Sequence, residues 1–166
     1  LLWINKEYIK KLPSKRIIEE IKNRLPKQFQ NDEIIKKIEP IVVERISVWS
    51  DIDEMLKTGD LDYYFNEPKV SKENLIWKKG GTDVEAADNL ALVLNIVEKI
   101  KPSQTLDDIK QGIMKIAEEK GKGNVLWPLR YALSGKEKSP DPFTLIYTLG
   151  REVSTKRIQS AIDILR

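Results

Sequence analysis

Helical periodicity, kept up from one end of the chain to the other, constrains the fold more than any other feature. Ala86, Leu90, Val93, Leu94 and Val97 recur at the three- and four-residue intervals that line one face of an α-helix. Thr82 stands before this run and Glu85 follows three residues later, a pairing that satisfies two N–H groups otherwise orphaned at a helix start. Asn31 precedes Ile34, Ile35, Ile38, Ile41 and Val42 in the same way, with Pro40 expected to kink or break that helix. Thr105 caps a run of Ile109, Ile113, Ile116 and Ala117, and Ser14 one of Ile17, Ile18, Ile21 and Leu25. Pro26, Gly59, Pro102 and Gly121 act as stops. Short helices are expected around Asn5–Lys10, from Ser50 to Leu56, and from Ser71 through Leu75, Ile76 and Trp77 to Gly80-Gly81. No strand alternation and no repeat of constant period interrupts the pattern. These signals predict an all-α chain of two packed helix clusters, residues 1–68 and 69–166, divided at an irregular acidic loop near Pro68.

The most informative segment runs from Gly121 to Gly150, two short helices joined by a basic loop rich in proline. Pro128 suits the first turn of the first helix, where its missing N–H costs nothing. Val125, Leu126, Leu129, Ala132 and Leu133 then make an apolar stripe, and Gly135 can end the helix in a left-handed conformation. Arg130 falls on the shoulder of that stripe, anchored by the packed helix yet able to reach outward. Leu145, Ile146 and Leu149 give the second helix a buried face from Pro142 to Leu149, with Gly150 as its stop, and a last helix begins near Ser154.

Absences narrow the chemistry. The chain has no Cys and no His, so disulfides, thiolate nucleophiles, zinc frameworks and imidazole-based triads are excluded. No paired carboxylates stand apart from ordinary helix surface. No glycine-rich loop leads into Lys-Ser/Thr, and Gly80-Gly81 and Gly121-x-Gly123 read as inter-helix turns. No apolar run approaches the ~20 residues of a membrane span. The chain is therefore expected to be non-catalytic. Leu1-Leu2-Trp3 begins inside an amphipathic pattern without an initiator Met, which points to part of a longer protein.

Charge is modest in total, +3, but uneven. Lysines and arginines crowd both ends of the chain, and Asp51, Asp53, Glu54, Asp60 and Asp62 form an acidic interval between them. Solvated helix faces explain each run singly; two basic regions around an acidic one also fit a partner with a phosphate backbone.

PLRYALSG, Pro128 to Gly135, resembles the PLR-x-AL-[ST]-G segment near the C-terminus of bacterial glutamyl-tRNA synthetases. The opening LLWINKEYIKKL is similar to that family's L-x-W-x-N-x-x-Y-I-[RK]-x-L, with Trp3, Asn5, Tyr8 and Ile9 matching. DYYFNEP from Asp62 resembles its aromatic-acidic stretch. LGREVSTKRIQSAI is similar to its closing L-G-[KR]-E-x-[ST]-x-x-R-[LI] helix. The four segments lie in the family's order and span almost the whole chain. The resemblance implies an all-helical anticodon-binding cage serving a monomeric cytoplasmic class I enzyme. Its partner would be tRNA(Glu), with no DNA and no membrane. ATP and Mg²⁺ would be used by a catalytic part outside this chain, which itself carries no cofactor. A class I lysyl-tRNA synthetase cage and a helical protein-interaction scaffold without RNA are the alternatives.

Reading unstacked bases requires edge donors and acceptors, flat platforms and cations. By resemblance, Arg45 matches an arginine that reads the third anticodon base and discriminates against glutamine tRNA. The following Ile46-Ser47-Val48-Trp49 departs from the family's R-x-x-T-L. The alternative for Arg45 is a cation favoured by the helix C-terminus. Arg130 matches the arginine at the anticodon pocket; its alternative is a salt bridge to Glu118 or Asp141. Ser139, Pro140 and Pro142 align with a loop that contacts the first anticodon base, although Pro142 stands where leucine is usual. A plain capping loop also suits them. Lys136, Lys138, Lys156 and Arg157 are candidate phosphate contacts or solvated surface. Among the tryptophans, Trp3 and Trp77 read as core and Trp127 as an exposed stacking platform.

Overall fold

The computed structural model describes residues 1–166, the side chain of Leu2 excepted. Among the described residues there are eleven α-helices, one 3₁₀ turn and no strand. The all-α expectation holds. Two compact units divide the chain, Leu1–Phe65 and Asn66–Arg166.

The first unit comprises α1 (Leu2–Lys11), α2 (Ser14–Arg24), α3 (Asp32–Arg45), α4 (Asp51–Lys57) and α5 (Asp62–Phe65), with the 3₁₀ turn at Lys27–Phe29. The Asn31 side chain accepts from the N–H groups of Glu33 and Ile34, which starts α3 as expected. Ile35, Ile38 and Val42 lie fully buried along α3, with Ile17 and Ile21 of α2 also in the core. Phe29 and Phe65 stack with centroids 4.8 Å apart. Pro40 neither breaks nor ends α3. Its ring deprives only the Lys36 carbonyl of a helical donor, and both residues are exposed, so solvent can replace that bond. Ser14 is the first residue of α2 rather than its cap, and its hydroxyl donates to Glu39 Oε2 at 2.7 Å. Trp3 is not core: α1 buries Ile9, which leaves Trp3 on another face, 74% exposed.

The second unit holds α6 (Lys72–Leu75), α7 (Asp83–Val97), α8 (Leu106–Lys120), α9 (Lys122–Ser134), α10 (Pro142–Leu149) and α11 (Arg151–Leu165). Thr82 and Glu85 form the expected capping box on α7, and Thr105 forms a second with Asp108 on α8. α7 packs along α11, while α9 touches α6, α7, α8, α10 and α11. Val125, Leu129 and Leu133 of α9 are fully buried, each contributing roughly 1.5–3 kcal/mol by leaving water. Gly135 ends α9 at φ 67°, ψ 16°, the left-handed cap its position predicts.

The start of α9 differs from the sequence expectation. The helix begins at Lys122, so Gly123 lies within it and Pro128 sits in its interior. An interior proline removes the donor for the carbonyl four residues back, here that of Asn124. The buried side chain of Asn89 on α7 supplies the replacement, its amide donating to Asn124 O at 3.2 Å. A tertiary hydrogen bond thus allows α9 to run on through Pro128.

Candidate nucleic-acid interface

Along one side of α9, against the start of α10, an open cleft of about 410 Å³ is lined by Trp77, Leu126, Trp127, Arg130, Asp141 and Pro142 among others. The two indoles meet at 52° with centroids 5.6 Å apart. Trp127 is fixed by its own ring N–H, which donates to the Asn74 carbonyl at 2.9 Å. It is half-buried rather than freely exposed, because that bond and the Trp77 contact turn it inward.

Cations gather on Trp127. The Arg130 guanidinium lies 5.5 Å from its ring centroid and the Lys78 ammonium 5.7 Å. Such contacts contribute ~0.5–1 kcal/mol each at exposed sites and hold both charges beside an apolar surface. Arg130 Nη2 donates to the Glu137 carbonyl at 2.8 Å, which takes one prong of a fork carrying five donors. Its partner is thus a loop carbonyl, and no ion pair to Glu118 or Asp141 forms among the described residues. Lys78 pairs with the Glu137 carboxylate at 2.5 Å, which holds that carboxyl below the ordinary glutamate range. Flat apolar walls with guanidinium and ammonium groups at the rim can accept a planar, electron-rich group whose edge offers acceptors.

The remaining candidates fall in several places. Pro142 is buried as the first residue of α10, where Asp141 caps Thr144. Ser139 and Pro140 are half-buried in the loop between α9 and α10, with the Ser139 hydroxyl donating to the Pro140 carbonyl at 2.9 Å. Lys136 is half-buried in the same loop, its N–H on Ser134 Oγ at 3.1 Å, and Lys138 is exposed. Lys156 pairs with Glu67 at the surface and holds that carboxyl below its usual range. In the first unit, Arg45 is exposed as the last residue of α3 and pairs with Asp60 at 2.9 Å.

Arg157 corrects the sequence expectation. It is only 7% exposed, with Nη1 donating to Leu133 O at 2.6 Å and Nη2 to Asn66 O at 2.8 Å. A guanidinium so placed fastens backbone instead of meeting phosphate. Its position was readable: Arg157 shares helical spacing with the buried Ser154, Ile158, Ala161 and Leu165. Burial brings its pKa down to about 10, Glu67 acting the other way, so it stays charged near neutrality. Sequence reasoning missed Lys78 and assigned Trp77 to the core; only the fold brings both to Trp127.

Residues 9–162 match the family model described as an anticodon binding domain. The chain is 33% identical to a glutamate–tRNA ligase of Clostridium acetobutylicum over 99% of its own length and 34% of that protein's. It is 34% identical to the corresponding Clostridium kluyveri ligase, again over 34% of that protein. In three dimensions it matches the crystal structure of a glutamate tRNA ligase from Elizabethkingia meningosepticum in complex with its amino acid. That match has TM-score 0.75 and 27% identity, covering 99% of this chain and 32% of the other. The chain thus spans about a third of the length of the relatives it matches. By the family match over most of its length and the similarity in sequence and fold, the chain belongs to the anticodon-binding domain family, homologous to the C-terminal region of glutamate–tRNA ligases.

Proposed function

We propose that this chain reads the anticodon loop of tRNA(Glu) within a glutamate–tRNA ligase. The observation that carries this reading is the Trp77–Trp127 cleft with Arg130 at its rim, in a chain matched by the anticodon-binding family over residues 9–162. An unstacked base needs a platform and a donor array at its edge, and a stacked base contributes ~1–3 kcal/mol. Arg130 reads a base edge in this scheme, with Ser139, Pro140 and Pro142 in the adjoining loop. Trp127 supplies a platform, and Lys136, Lys138 and Lys156 meet the backbone. Arg45 reads the third anticodon base and disfavours glutamine tRNA; its ion pair with Asp60 leaves it exposed at the end of α3.

The parent enzyme activates glutamate with ATP and Mg²⁺ and transfers it to the terminal adenosine of the tRNA. The residues present do not fit those groups: the sequence has no phosphate-cradling loop, and no cluster of three metal-ligating side chains occurs among the described residues. This chain contributes affinity and identity to that reaction.

A filter-binding titration tests the assignment, comparing tRNA(Glu) with the same tRNA carrying a swapped anticodon. Binding at least tenfold tighter to the native anticodon is expected, of the order that one well-placed arginine gives. Equal affinities would overturn the assignment; binding should also weaken steeply as salt rises, and absence of any tRNA binding would favour a scaffold without an RNA partner.

A further inference from the structure

We propose that Arg157 is a positioning residue: it sets the geometry of the Arg130-bearing end of α9 and of the loop that follows. The proposal rests on the anticodon reading above. Leu133 O lies in the last turn of α9, where carbonyls lack a helical donor, and Arg157 Nη1 fills that need at 2.6 Å. Its other prong holds Asn66 O, in a chain segment remote in sequence. The same segment passes close to the turn: a Cβ on Gly135 would stand 2.8 Å from Pro68 Cβ and 2.9 Å from Lys69 O. One guanidinium thus ties the segment from Asn66 to the point where α9 becomes the loop.

From that point the hydrogen bonds lead to the cleft. Ser134 Oγ donates to the Arg130 carbonyl at 2.8 Å and accepts from the Lys136 N–H at 3.1 Å. Arg130 then braces on the Glu137 carbonyl at 2.8 Å. A shift of the turn would move the group on which Arg130 leans. Burying a cation is costly unless its donors are used, and an apolar residue would complete the stripe of α11 without that cost. What an aliphatic side chain lacks is a planar fork that spans two carbonyls at once.

The test uses the full chain with Arg157→Met, which keeps bulk and loses the fork, and Arg157→Lys, which keeps one donor-bearing charge. Affinities for tRNA(Glu) and its anticodon-swapped form are titrated across a salt series, well below each variant's melting temperature. For Arg157→Met the native-to-swapped affinity ratio is expected to fall about tenfold. The slope of log affinity against log salt should stay unchanged, because no phosphate contact is lost. Arg157→Lys should fall between Met and wild type. An unchanged ratio with only a lower melting temperature would overturn the proposal, as would an Arg157→Met chain that does not fold at all. A salt slope shallower by about 0.7 would make Arg157 a phosphate contact and overturn it too. Absence of any anticodon preference in the wild type would overturn both this role and the anticodon reading. A preference kept by wild type and variants alike would overturn this role alone.

Discussion

The indole of Trp77 occupies the space that a β-carbon on Gly123 would take. A Cβ there would lie 2.4 Å from Trp77 Cε2 and 2.6 Å from Nε1. Gly123 is helical, so the missing side chain, and not an unusual backbone, is what this position uses. Seated against the bare helix, Trp77 meets Trp127 at 5.6 Å and lines the cleft with it.

Gly123→Ala should therefore change sign with its neighbour. Alanine gains ~1 kcal/mol over glycine within a helix, whereas overpacking costs ~1–3 kcal/mol. A net loss of up to about 2 kcal/mol is expected in the wild-type background, with an altered near-UV circular dichroism signal from the displaced indole. In a Trp77→Leu background the same substitution should stabilise. Urea unfolding of the four chains checks this; stabilisation in both backgrounds would contradict the seating.

Asn89→Leu should leave the part-buried Asn124 carbonyl without the donor that Pro128 cannot provide. The expected loss is about 1–3 kcal/mol. Pro128→Ala restores a backbone N–H at that turn, so the loss from Asn89→Leu should shrink by about 1 kcal/mol in that background. A double-mutant cycle by urea unfolding measures the difference, and strict additivity would show that the two residues do not share this carbonyl.

Asp51 gives a pH signature. Its carboxylate accepts from the Ser47 and Val48 N–H groups at 2.7 and 3.1 Å, and these bonds hold its pKa below the usual aspartate value. The unfolded value is ~3.9, so the stabilisation is complete above that pH and is lost as pH falls through the lower folded value. Asp51→Asn should melt about 2–4 °C below wild type at pH 7. That gap should close on acidification below about pH 4. A constant gap in thermal melts from pH 7 to the acid limit would contradict the account.

Features governed by neighbours in sequence were legible there. The Thr82–Glu85 box, the Asn31 cap, the left-handed Gly135 and the Pro142–Leu149 helix each depend on a few adjacent residues, and each stands where its signal placed it. The misreadings involve partners from elsewhere. Pro128 looked like a helix start because Asn89, which makes an interior proline tolerable, lies on another helix. Trp77 looked like core because nothing local shows the groove that Gly123 provides. Arg130 is singled out by its shoulder position and by resemblance, whereas its brace on Glu137 and its place over Trp127 come only from the fold. Arg157 is the converse: its helical spacing marks it as buried, although its charge alone suggests the surface.

Arg130→Ala tests most directly the proposed role of Arg130 in reading a base. Affinities of wild type and variant for tRNA(Glu) and for its anticodon-swapped form give four dissociation constants. Loss of one base-reading arginine should weaken binding to the native anticodon about tenfold or more and leave the swapped tRNA nearly unaffected. An equal loss for both tRNAs would make Arg130 a backbone contact and contradict the account.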